Sequence, residues 1–97
     1  MIVRWVHMEF EEVDRAAFLD LFDTHCAAIA SQPGCSALEL VCNADNPCQI
    51  STLSHWDSLE DLDRYRHSAL FAEVWPATKA LFCSRPRATT FTLLQTC

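Results

Sequence analysis

The sequence predicts an α+β fold of order β-α-β-β-α-β, the ferredoxin-like arrangement in which two helices cover one face of a four-stranded antiparallel sheet. Three observations carry that expectation. A long stretch with apolar residues at helical spacing ends at Pro33-Gly34. Two alternating runs, Cys35 to Cys42 and Cys48 to Trp56, flank the turn-forming Asn43-Ala44-Asp45-Asn46-Pro47. Finally, Ser51 to Phe82 passes from a strand end into helix at Asp57-Ser58 with no spare residue between them.

Ile2 to Phe10 reads as the first strand. Val3, Trp5 and His7 share one parity, and Ile2, Arg4, Val6, Met8 and Phe10 share the other. Both sets are rather apolar, so both faces need covering. The first helix is expected from Asp14, its cap, to about Gln32. Phe18, Leu19, Phe22, Cys26, Ile29 and Ala30 form its apolar stripe, and His25 lies within that arc. Cys48 to Trp56 returns antiparallel to Cys35 to Cys42 as a hairpin. Ser58 caps the next helix, with Asp61 three residues on as an acidic capping-box partner. Leu59, Leu62 and Arg66 share a face there, and Arg66 can lay its stem along apolar surface. A second helical piece starts at Ser68 and carries Leu70, Phe71, Val74, Trp75, Thr78, Leu81 and Phe82 at helical spacing. Pro76 kinks it or marks a restart. Arg87 to Gln95 is the last strand.

Ninety-seven residues make one domain, residues 1–97. A chain of this size buries only about 60–65% of its extended surface. Yet 51% of the residues are hydrophobic and 21% charged. That surplus predicts a homodimer paired through the sheet faces. A net charge of -6 with no basic run argues against nucleic acid and against an anionic membrane. No stretch is long and apolar enough to span a bilayer, and the N-terminus lacks a signal-peptide pattern, so a cytoplasmic location is expected. The six cysteines are then expected to be reduced, with a Cys42–Cys48 bridge across the hairpin as the alternative. No Cys-x-x-Cys, His-x-His or His-Glu-x-x-His spacing supports a metal, and one glycine makes no phosphate loop. The expectation is no metal and no cofactor.

Pro33-Gly34-Cys35, the strand ending in Trp56, Asp57-Ser58, Leu62-Asp63-Arg64-Tyr65, Ser68, and Phe71 with Trp75 together resemble the antibiotic-biosynthesis-monooxygenase family. The resemblance covers nearly the whole chain. It implies a dimeric α/β barrel with a cavity in each subunit between sheet and helices. It also implies oxidation of quinols or aromatic polyketide-like compounds without metal or flavin. Haem-degrading relatives carry a Trp on the helix after the third strand and an axial His ten residues later. Aligned with them, this chain has Tyr65 and Trp75, which argues against haem degradation. Leu70 stands near where many quinol-oxidising members have a His.

Oxidation of that kind needs a base for a hydroxyl proton and a dry pocket that steadies the anion. Candidate catalytic residues are His25, His7, Tyr65 and Arg66. Imidazole suits the proton transfer, and a guanidinium suits the developing phenolate. Candidate pocket walls are Trp5, Phe22, Phe71 and Trp75, which would suit a flat, small apolar or aromatic molecule. Each has a plainer reading. His25 is a packed core histidine or a cavity base; His7 is a cavity group or a sheet or dimer contact. His55 and His67 are expected at the surface or an interface. The aromatics are a slot or ordinary core. Two functions stay open: a cofactor-independent monooxygenase, or a non-catalytic dimeric domain that binds a small ligand or is structural.

Overall fold

The computed structural model describes residues 1–97. Its elements are β1 (Ile2–Glu9), α1 (Glu12–Ala30), β2 (Cys35–Asn43), β3 (Asn46–Trp56), α2 (Leu59–Arg66), α3 (Ala69–Lys79) and β4 (Arg87–Thr92). The four strands form one antiparallel sheet in the order β2-β3-β1-β4. This is the expected ferredoxin-like sheet with its helices on one face. The sheet is open: β2 and β4 are its edges.

Alternation along β1 assigns the faces. Val6 and Met8 point toward the helices, and Met8 joins Phe10, Phe18 and Ile50 in the buried core. Register places Met8 opposite Ile50 and Val6 opposite Thr52, so β3 contributes the same parity. Trp56 closes the row. It is fully buried, donates from Nε1 to Ser54 Oγ at 2.9 Å, and stacks on Tyr65 of α2. Val3, Trp5 and His7 therefore lie on the other, uncovered face, with Leu53 and Phe91 beside them in register.

Local chemistry sets the helix limits. α1 begins at Glu12 rather than beyond Asp14; Glu11 is the N-cap without a side-chain bond, and Asp14 sits in the first turn. The early start follows from Phe10, whose bridge to Phe82 ends the sheet and leaves no linker. At the far end of α1, Gly34 takes φ +82°, and its carbonyl accepts from Asp57 N at 2.8 Å. A Cβ there would collide with the Asp61 side chain. The only glycine thus combines left-handed backbone with a close approach of α2.

The expected Ser58 cap is present, and Ser68, expected to open the second helical piece, caps it as well. Ser58 Oγ accepts from Asp61 N at 3.2 Å and donates to Asp61 Oδ2 at 2.9 Å; Ser68 Oγ accepts from Phe71 N at 3.1 Å. The helical break falls at His67-Ser68, and α3 continues through Pro76. The hairpin is tighter than expected. Asn43 pairs with Asn46, leaving Ala44-Asp45 as the turn, and Cys42 pairs with Ile50 rather than Cys48. β4 ends at Thr92, short of the expected Gln95. All six cysteines are free thiols. No helix is long and apolar enough to cross a membrane.

Candidate functional site

The helix-covered face is not filled. A partly open cavity of about 200 Å³ lies between the sheet and the helices. β1 and β3 supply its floor through Arg4, Val6, Met8, Thr52 and Ser54, and α1 supplies Phe18, Phe22 and Ile29. α2 contributes Leu62, Tyr65 and Arg66, and α3 contributes Phe71, Val74, Trp75 and Thr78. Helical spacing explains the last two sets: residues three and four apart share a side.

Aromatic contacts hold the wall. Tyr65 stacks on Trp56 (5.3 Å) and meets Phe71 edge-on (5.3 Å). Phe71 stacks on Trp75 (5.9 Å), and Trp75 meets Phe82 edge-on (5.8 Å). Such offset and edge contacts are favourable arrangements for ring quadrupoles. They tie α2 and α3 to each other and to the sheet.

The polar groups are few. Arg4 donates from Nη1 to Thr90 Oγ1 at 2.7 Å and has no carboxylate partner. Burial, and then the neighbouring charge of Arg66, pull its pKa below the ordinary value, and the guanidinium stays protonated. Arg66 reaches Asp63 only loosely, at 3.9 Å. The Tyr65 hydroxyl has no protein partner; burial pushes its pKa up to about 12, with Cys35 adding to the shift. It is a neutral donor near pH 7, not a base.

Of the proposed site residues, Tyr65, Arg66, Phe22, Phe71 and Trp75 meet at this cavity. Trp5 and His7 do not, because their parity turns them to the uncovered face. There Trp5 lies between His7 (5.6 Å) and the Arg87 guanidinium (5.7 Å), and His7 bonds Ser51 (3.4 Å) and approaches Glu9 (3.5 Å). His25 is half-buried on α1 but is not part of the cavity wall. His55 pairs with Glu39 at 3.0 Å on the uncovered face, and His67 is exposed at the end of α2. Arg4 is the one charged lining residue that sequence reasoning passed over. Its shared parity with Val6 and Met8 was the available signal.

The family model for antibiotic biosynthesis monooxygenase matches residues 1–75. The chain belongs to this family. Solved structures of similar fold include a conserved protein from Methanosarcina mazei Go1, with 17% identity, 94% of this chain and 91% of that chain covered, and TM-score 0.87. Another is Rv0793 from Mycobacterium tuberculosis, with 18% identity, 98% and 96% coverage, and TM-score 0.89. A third is a variant of SnoaB, a cofactor-independent oxygenase from Streptomyces nogalater, with 23% identity, 98% and 95% coverage, and TM-score 0.83. At these identities the likeness concerns the fold. No curated protein matches the chain in sequence. Family membership and fold leave the reaction to be argued from the cavity.

Proposed function

We propose that the chain is a cofactor-independent monooxygenase for a small aromatic hydroxyl compound of quinol or polyketide-like type, working as a homodimer closed across its uncovered sheet faces. One observation carries the reading: an aromatic-walled cavity whose charged groups are both cations, Arg4 and Arg66. Membership in a family with a cofactor-independent oxygenase among its structural neighbours supports it.

The cavity wall offers no carboxylate or imidazole to act as base. The substrate's own acidity takes that role. Two nearby guanidiniums favour the phenolate over the phenol, and the proton leaves to water through the open side. Tyr65, protonated, donates to a ring oxygen. For an anthrone-type substrate the electron-rich anion adds O₂ at its ring methylene carbon. The O–O bond then breaks as the carbon loses its remaining hydrogen. One oxygen stays as a ketone and the other leaves as water, so CH₂ plus O₂ gives C=O plus H₂O.

The same missing base favours a second reading, a binding domain that holds such a molecule without turning it over. Oxygen-electrode assays with anthrones and hydroquinones separate the two. The oxygenase reading expects uptake above autoxidation, with one atom of ¹⁸O from ¹⁸O₂ in the anthrone product. Saturable anaerobic binding with no enzyme-dependent uptake would leave the binding domain.

A further inference from the structure

The chain carries 13 acidic and 7 basic residues, yet of the 18 residues lining the cavity two are arginines and none is Asp, Glu, Lys or His. This pocket reverses the charge of its own protein. Like charges converging on apolar surface are costly without a counterion. Arg4 has none: its one side-chain bond goes to the Thr90 hydroxyl, and the rest of its N–H fork is unused. Arg66 has only Asp63, three residues along the same helix at 3.9 Å, with both side chains about half exposed.

We infer that the cavity takes an aromatic anion, a fused-ring hydroxy compound whose carboxylate lies against Arg4 and Arg66 while its rings lie against Phe71 and Trp75. This rests on the cavity being the ligand site proposed above and adds the substrate's charge class. A planar guanidinium fork matches a carboxylate through paired N–H···O bonds, which a neutral quinol cannot reproduce. The rings meet apolar wall, so charge and aromatic body are recognised at separate parts of one site. The burial of Arg4 and the neighbouring charge of Arg66 both lower its basicity, and a bound carboxylate would offset the second of these.

Isothermal titration calorimetry under argon, on the intact protein, tests this with two matched probes. 1,4-Dihydroxy-2-naphthoate carries the carboxylate; 1,4-dihydroxynaphthalene does not. The expected result is a preference for the naphthoate of about tenfold or more in Kd. That preference should shrink with added salt and fall toward one in Arg4→Gln. Arg66→Gln, changed at a half-exposed side chain, gives the same readout should Arg4→Gln fold poorly. Equal affinities of the wild type for both probes would overturn the anionic assignment while leaving the aromatic cavity intact as a ligand site. Absence of binding by either probe would overturn both.

Discussion

The two faces of this sheet are built from similar residues and put to different use. On the helix side, Met8, Ile50 and Trp56 are almost completely buried, and the aromatic series from Trp56 to Phe82 leaves a hole beside the core. On the other side, Trp5, Leu53 and Phe91 lie among polar groups that are already paired: His7 with Ser51, Gln49 with Glu9, and His55 with Glu39. One side encloses space, and the other presents apolar area among these paired polar groups and the Arg87 guanidinium over Trp5. Paired polar groups beside apolar area lower the cost of covering such a face.

Changes on either side separate these roles. The largest effect is expected at Trp56. Trp56→Ala removes a fully buried ring, its stack on Tyr65 and its bond to Ser54, and should cost about 3–5 kcal/mol by urea denaturation. Next comes Leu53→Asp on the uncovered face. It should weaken the proposed sheet-face dimer by roughly 100-fold or more, because a carboxylate would be left unpaired in that joint. Sedimentation velocity reads this directly, and a dimer of wild-type strength in the variant would place the interface elsewhere. Circular dichroism should show the variant's subunit still folded.

Gly34→Ala comes third, at about 1–3 kcal/mol, from left-handed backbone and collision with Asp61. The smallest effect is a pH effect. Tyr65 is the only tyrosine, so absorbance at 295 nm should follow it alone, with a midpoint at about 12. The folded chain holds this proton above the ordinary value of about 10. Stability from Tyr65 is therefore complete below about pH 10 and declines as pH rises toward 12. Tyr65→Phe should lack that component of the alkaline decline in thermal melts. A midpoint near 10 in the wild type would mean the ring is solvated, and the cavity correspondingly wider.

The order of elements was legible because each carries a local signal. Ser58 caps, Ser68 opens a helical piece, Pro33-Gly34 stops, and alternation in Cys48 to Trp56 distinguishes strand from helix. The helical half of the site was legible for the same reason, since Tyr65, Arg66, Phe71 and Trp75 recur at spacings that share a side. The strand half was not. Alternation says that Arg4 and Trp5 face opposite ways, but both parities of the first strand are apolar, so periodicity alone does not say which one the helices cover. That ambiguity makes Trp5 a candidate wall, leaves His7 open between the cavity and a sheet or dimer contact, and hides Arg4. Asp61 conceals a further dependence: its place over Gly34 joins segments 27 residues apart and has no periodic trace.

That single glycine bears on the disordered state as well as the native one. A chain with one glycine and four prolines has fewer backbone conformations to surrender on folding than a glycine-rich chain of equal length. Only ten of its residues are buried in the isolated subunit. A stiff unfolded ensemble offsets part of what so small a buried set leaves uncompensated. It lets the fold tolerate a cavity between its sheet and helices.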